Sequence, residues 1–308
     1  MTNYIRYGTI VADPGNFDMS QLRCRFSIKA QSISTPGTAH ILVTNPLASK
    51  AREFVKLEFT TITITAGYED NAGIIFKGQI RQGVFGRENP TDTLLTIIAS
   101  SMGEQGHNFA TVNTTLKAGS TPQDHFNVAM AALGKYGITQ GYIGVDLSQP
   151  KYPRAVSLFG MARDVLLNIA KLKQATFSYQ QGAVQMVPKT GNIPGGPFVL
   201  NSNTGMVGMP TQMIGEIQVR AFINPSVRID TLVKINESSI TQAELPLGPD
   251  GSLAPPNVNL AAIASDGIYR VFAVDYNGDT RGNPWYMDLH CIIPGQQTDT
   301  SKQYPTSS

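Results

Sequence analysis

TGMVGMPTQMIGEIQVRAFINPSVRIDTLVKI, residues 204–235, is the stretch on which the reading of this chain turns. Gly205, Gly208 and Gly215 punctuate it, with Pro210 and Thr211 between them. Glycine tolerates φ > 0 and close backbone approach, whereas proline fixes φ and withholds an N–H. This spacing makes a kinked turn rather than a phosphate cradle. After Gly215, the apolar Ile217, Val219 and Ala221 alternate with Glu216, Gln218 and Arg220. That period of two marks a strand with one buried face. Asn224-Pro225 breaks the strand, and Val227, Ile229, Val233 and Ile235 are expected to resume it.

Downstream, Leu245 to Asn259 is rich in Pro and Gly and reads as a long loop. Two strands follow, Gly267 to Val274 and Trp285 to Ile293. The segment between them, Asp275 to Pro284, carries Gly278, Asp279 and Gly282 and reads as a hairpin loop. Residues from Gln296 onward are polar and expected to fray.

Upstream, residues 1–103 read as all β. Leu22, Cys24, Phe26 and Ile28 alternate with Arg23, Arg25, Ser27 and Lys29. Thr35-Pro36-Gly37-Thr38 is a turn, after which Ala39, Ile41 and Val43 resume the alternation. Ala48 to Val55 fits a short helical turn or an extended arm. Leu57 to Thr65, Ile74 to Ile80 and Leu94 to Ala99 read as further strands.

The middle, 104–200, changes character. Thr121 is a good N-cap and Pro122 suits the first helical position, so a helix is expected over Gln123–Tyr136. A second helix is expected from Ser157, with Met161, Val165, Leu166 and Ile169 on its apolar stripe. Ala175–Tyr179 and Val184–Pro188 flank a Gln-Gln-Gly turn as a hairpin. The run from Thr190 to Pro197 is a linker by composition.

Taken together, the stretch from Gly205 to Pro225 resembles the second barrel of the baseplate hub protein of contractile-tailed bacteriophages. In that family a Gly–x–x–Gly–x–Pro–Thr segment leads into a strand that ends at an Asn-Pro turn; here Gly205, Gly208, Pro210, Thr211, Asn224 and Pro225 match. The glycine often found just after that turn is replaced by Ser226, Val227 and Arg228. The Gly278-Asp279-Thr280-Arg281-Gly282 loop and Trp285 are similar to the family's next segment. Thr35-Pro36, Ile41–Asn45, Ala66-Gly67-Tyr68 and Ile75–Ile80 are similar to its first barrel, a barrel type that tail-tube subunits share.

The resemblance spans roughly residues 20–295. It implies a mainly β chain with an α+β insert: a tail-tube-like barrel at 1–103, a middle α+β domain with two helices at 104–200, a second barrel at 201–295 and a tail at 296–308. It also implies a structural virion protein of the tail baseplate, assembled in the host cytoplasm. As a homotrimer, the family joins a six-fold tail tube to a three-fold central spike. It lines the channel through which genomic DNA passes without specific binding, and the tape measure protein is a further neighbour. A tail-tip cell-wall hydrolase and the hub of a phage-derived contractile injection system are the alternative readings.

Composition fits this without deciding it. The chain has 308 residues and a charged fraction of 15%, low against a typical quarter, as expected of a chain that buries much of itself against partners. Lys and Arg number 24 and Asp and Glu 22, a near balance that points neither toward nor away from nucleic acid. Residues 101–200 carry eight basic against four acidic side chains, and residues 201–308 carry six against ten. That asymmetry reads first as scatter and second as faces for different partners. Cys24 and Cys291 each sit in an alternating strand pattern and are expected to be buried free thiols. Met1–Ile10 has no apolar h-region, so no signal peptide is expected, and no apolar run approaches a bilayer span.

No chemistry stands out. His40, His107, His125 and His290 are far apart in sequence, and no CxxC or G-x-S-x-G occurs, so no metal, cofactor or catalytic residue is expected. Asp275-x-Asn277-Gly278-Asp279 lacks the sixth-position glycine and terminal Glu of a calcium loop. Glu88 and Asp92 are too little to propose a glycosidase pair. Trp285 is read as core or interface packing before sugar stacking.

Overall fold

A computed structural model describes residues 5–13, 17–56, 59–213, 215–236, 240 and 263–295. Strands make up 48% of the described residues and helices 14%, which fixes the class as mainly β. The expected loop over Leu245–Asn259, the polar end from Gln296 and the start of the Leu57 strand lie outside the described residues.

Alternation builds the sheet. In β3 (Arg23–Gln31), Cys24, Phe26 and Ile28 are buried and their neighbours are not. β4 (Thr38–Thr44) buries Ala39, Ile41 and Val43. β7 (Thr93–Ser100), β6 (Asn71–Arg87), β5 (Thr61–Tyr68), β1 (Arg6–Asp13) and β2 (Phe17–Asp18) complete the first unit. The second unit holds β13 (Phe198–Leu200), β14 (Thr211–Gln212), β15 (Ile217–Phe222), β16 (Leu232–Ile235), β17 (Ile268–Asp279) and β18 (Trp285–Ile292). All thirteen strands form one sheet, in the order β14-β15-β18-β17-β3-β4-β7-β6-β5-β1-β2, with β16 on β17 and β13 on β16.

The mainly β class is as expected, and the ladders show how the two β units are joined. β17 was expected to end at Val274, but it runs to Asp279 because its backbone is hydrogen-bonded on both sides: Ala273–Asp279 pair with Arg25–Gln31 of β3, and Arg270–Gly278 pair with Trp285–Ile292 of β18. The two β units therefore share a sheet and a core, and among the described residues no ladder closes either into a barrel. Ile41, Ile64 and Leu95 pack in the same cluster as Val219, Tyr269, Trp285 and Leu289.

The middle unit has its own core, with Phe126, Leu133, Leu166, Ile169, Phe177 and Met186 among its members. α3 (Pro122–Gly134) starts as expected: the Thr121 hydroxyl accepts from the Asp124 N–H, and the Asp124 carboxylate accepts from the Thr121 N–H. β11 (Ala175–Gln180) and β12 (Ala183–Pro188) form the expected hairpin, and β9 (Thr139–Ile143) joins β12 in parallel.

The second helix is displaced from its expected start. Val156–Met161 is a strand, β10, antiparallel to β8 (Thr111–Leu116), and α4 spans Ala162–Leu172. Gly160 adopts φ +131°, a conformation no helix contains, so Ser157 to Gly160 is not a helix start. α1 (Ala48–Phe54) settles the first unit's open alternative as a helix, anchored by buried Ala51 and Phe54, and α2 (Glu104–Asn108) is a short addition. Val227 and Ile229 are buried but lie in turns, and the strand resumes only at Leu232.

Candidate functional site

Of the residues singled out in the sequence, Asn224, Pro225, Gly278, Asp279, Gly282 and Trp285 fall into two contacts that join the β units, whereas Gly205, Gly208, Pro210, Thr211 and Gly215 shape the second unit alone. The first is the corner after β17. Trp285 is 1% exposed, and its Nε1 donates to the Gly67 carbonyl of β5 at 3.1 Å. Its ring meets Phe26 edge to face at 5.6 Å. A Cβ on Gly8 of β1 would lie 2.8 Å from the indole, so only glycine lets β1 approach this closely. The Arg6 guanidinium sits 5.8 Å from the Trp285 ring and donates to the carbonyls of Gly282 and Asn283.

Asp279 is 4% exposed and takes a bidentate contact from Arg23 of β3, with Nη2 at 2.6 Å, while the Arg281 N–H donates to the same carboxylate at 3.0 Å. Burial raises its carboxyl, but the Arg23 and backbone bonds outweigh that and hold it below the usual carboxylate range. Thr280 completes the clamp, its hydroxyl accepting from Cys24 N–H and donating to the Leu22 carbonyl. Gly278 lies opposite Phe26, and a Cβ there would come within 2.2 Å of that ring. The calcium-like residues are thus strand and clamp.

The second contact is the Asn-Pro turn. Asn224 Oδ1 accepts from Asn71 Nδ2 of the β5–β6 turn at 2.8 Å and from Ser226 N–H at 3.0 Å. A Cβ on Gly73 would meet Pro225 at 2.9 Å. Tyr68 and Phe222 lie edge to face beside it at 5.9 Å. Gly205, Gly208 and Gly215 all take positive φ, of 101°, 74° and 76°. They let 205–215 fold back on β15: Phe222 N–H donates to Gly205, Val207 N–H to Arg220, and Thr211 pairs with Gln218. Pro210 is buried within this fold-back.

Sequence reasoning missed a third junction. Asp230 and Arg270 are 1% and 3% exposed and 4.0 Å apart. Ser32 of the first unit donates to the Asp230 carboxylate, and Arg270 Nη1 donates to the carbonyls of Lys189, just before the linker, and Gly191 within it. Burial pushes the Asp230 carboxyl up, to about 6, against the pull of Arg270 and Ser32. The signal available was a charge in an apolar strand, Arg270 between Tyr269 and Val271.

One face of the sheet carries the remaining polar groups. Cross-strand partners share a face, and the register places Arg220, Asp288, Asp275, Lys29 and Thr38 in one row across β15, β18, β17, β3 and β4. Arg220 binds Asp288 bidentately, at 2.7 and 3.0 Å. Arg25 donates to Glu88 at 2.7 Å. His290 lies 2.8 Å from Glu216 and 3.9 Å from Asp275. Burial lowers its pKa, but the bonds to Asp275 and Glu216 more than reverse this, to about 9.

The other histidines lie apart: His40 exposed on the same face, His107 against Met102, and His125 stacked on Tyr152 at 4.6 Å. Glu88 and Asp92 are joined through the backbone, Glu88 N–H donating to the Asp92 carbonyl at 3.0 Å, but their carboxylates take different partners, Arg25 for Glu88 and Asn45 and Asn89 for Asp92. Among the described residues no group of His, Cys, Asp or Glu is arranged to hold a metal, and no helix is long and apolar enough to cross a membrane. Cys24 and Cys291 are buried and unlinked.

No protein-family description and no curated protein matches the chain. Solved structures do. The 43 kDa tail protein of prophage MuSo2 from Shewanella oneidensis matches at TM-score 0.62 and 10% identity, covering 95% of this chain and all of that one. A tail protein from Neisseria meningitidis MC58 matches at 0.57 and 8%, covering 96% and 97%. An E. coli component of the type VI secretion system, itself described as structurally similar to T4 bacteriophage tail proteins gp27 and gp5, matches at 0.55 and 10%, covering 96% and 79%. Over nearly its whole length, then, this chain has the hub-like fold of bacteriophage tail proteins.

Proposed function

We propose that the chain is a structural protein of a phage tail tip, the baseplate hub. Three copies would form a ring between the six-fold tube and the three-fold spike, with the open sheet face toward the channel that carries DNA. The observation that carries this reading is the β3–β17 ladder. It makes the two β units one continuous sheet with a row of charged side chains across one face, a surface suited to the wall of a conduit. The near full-length likeness to tail proteins supports the setting. In this reading Asn224, Pro225, Gly278, Asp279, Gly282 and Trp285 hold the joint, the Gly205–Gly215 fold-back shapes the second unit, and the division at 103/104 and 200/201 separates the β units from an outward-projecting middle domain with its own core. The chain has no catalytic role and resides in the virion, and the tape measure protein is a further contact.

A second setting, the hub of a phage-derived injection machine, is favoured by the likeness to the type VI secretion component. A density map of the purified particle, reconstructed without imposed symmetry, tests placement, and the flanking genes separate the two settings. A wall-degrading enzyme would instead clear peptidoglycan in a zymogram of the purified chain, and no clearing is expected.

A further inference from the structure

Two arginines of the first β unit, Arg23 and Arg25, are paired with the carboxylates of Asp279 and Glu88. Arg52 and Arg87 are placed differently. Together with Lys56 they line a groove of about 790 Å³ between α1 and the far end of β6. Among the described residues, none of these three cations has an ion-pair partner. The local sequence sets the arrangement. Ala48, Arg52 and Lys56 follow one another at intervals of four along α1 and the turn after it, so they lie on one side of the helix. Phe85 and Arg87 alternate along β6 and share its groove-lining face. The cations are exposed, while Val55 and Phe85 in the same groove are half-buried. The carboxylates of the β6–β7 turn are committed elsewhere, Glu88 to Arg25 and Asp92 to Asn45 and Asn89. Arg87 Nη1 donates to the Pro90 carbonyl, which orients the guanidinium without neutralising it.

Exposed cations alone are ordinary, but these surround an apolar concavity large enough for several side chains. A nucleic-acid backbone would use the charges and leave Val55 and Phe85 against water. A peptide with carboxylates on either side of an apolar residue uses both features, with charge-assisted bonds at the rim and apolar burial at the centre. We propose that this groove docks an acidic segment of a partner protein, an aliphatic side chain resting on Val55 and Phe85 and flanking carboxylates meeting Arg52, Lys56 and Arg87. The groove belongs to the single chain, so the proposal stands or falls separately from the hub placement.

The test is fluorescence anisotropy of the full chain with a short labelled peptide in which Glu residues flank a pair of Leu, against the same peptide with Gln for Glu. Wild type should bind the Glu peptide more tightly by about tenfold. Arg52→Glu together with Lys56→Glu should remove that preference. Ala48→Trp changes no charge but places a ring in the groove, and should weaken binding of the Glu peptide by about tenfold. Circular dichroism checks that each variant is folded, and Arg52→Gln with Lys56→Gln, and Ala48→Leu, are the milder forms to use if either is not. Equal binding of the two peptides, or a charge-reversed chain that binds as wild type does, overturns the proposal. Wild-type affinity in Ala48→Trp also overturns it, because the cations would then act as a flat patch. Duplex DNA binding more tightly than the Glu peptide would assign the surface to nucleic acid, and self-association of the free chain that Ala48→Trp removes would assign the groove to a second copy; either result refutes a partner protein as the occupant.

Discussion

At the scale of single residues the joint depends on Trp285. Its indole fills the space between β1, β3 and β5, so Trp285→Ala should cost about 3–5 kcal/mol in urea unfolding. Trp285→Phe keeps most of the packing, loses the bond to Gly67 and should cost about 1 kcal/mol plus the lost area. His290 gives a pH signature. Its folded pKa of about 9 lies above the ordinary 6.5, so its contribution is fully present below pH 6.5 and is lost as pH rises through 9. Stability should fall over that window by an amount on the order of 3 kcal/mol, and His290→Gln should flatten the curve. The thiols give a third check. Cys24 is pushed up to about 12 by burial, and Cys291 is also raised, so neither should react with iodoacetamide in the native state at pH 8. Intact mass after alkylation in denaturant should show two modified thiols, and a two-dalton deficit without reductant would refute the free-thiol assignment. Trp285 stood out in the sequence as a lone indole beginning a strand. Gly8, which makes room for it, did not, because a glycine needed for a close approach looks like any turn glycine until its neighbour is known.

At the scale of elements, what was readable followed the strength of the local signal. β3, β4 and β15 each bury one side and expose the other, so their alternation was plain, and Thr121 with Pro122 marked the start of α3 to within a residue, although its end falls at Gly134 rather than Tyr136. Thr121→Ala should therefore weaken that helix by about 1 kcal/mol in thermal unfolding. The start of α4 was not readable. Val156–Met161 continues the apolar spacing of the helix while pairing with β8, and only the φ of Gly160 separates the two outcomes. β17 was cut short because Asp275, Asn277, Gly278 and Asp279 are turn-forming residues, here kept extended by two flanking strands. That placement makes Gly278 a sensitive point. Gly278→Val would drive a side chain into Phe26 and, through it, Trp285, and should cost about 1–3 kcal/mol as overpacking. An equal change at Gly86, where a Cβ meets nothing within 4 Å, should shift the unfolding midpoint little.

At the scale of the whole molecule, the sequence showed two β units and a different middle, but not how the units meet. β3 and β17 are some 250 residues apart, and a ladder of that span leaves no local trace. The ladder nevertheless sharpens the symmetry argument. A six-fold tube above a three-fold spike needs an adaptor offering both repeats, and a chain with two β units side by side does so when three copies close a ring. Ring closure uses heterologous contacts, in which one patch meets a different patch on the next copy. The sheet supplies two unlike ends, the short β14 beyond β15 and the β2 hairpin beyond β1, and an open end invites pairing unless a neighbour covers it. β14 is flanked by Met209 and Met213, which are 70% and 43% exposed, as expected of a surface that another chain covers. The expected outcome is three copies around the tail axis, counted in a map computed without imposed symmetry, with β14 of each copy shielded by the next. Crosslinking through a cysteine placed at Met213 should then link copies in assembled particles and not in dilute free chain. Six copies per tail tip, or a position off the axis, would falsify the adaptor reading, since six copies would match the tube and leave the spike's symmetry unmet.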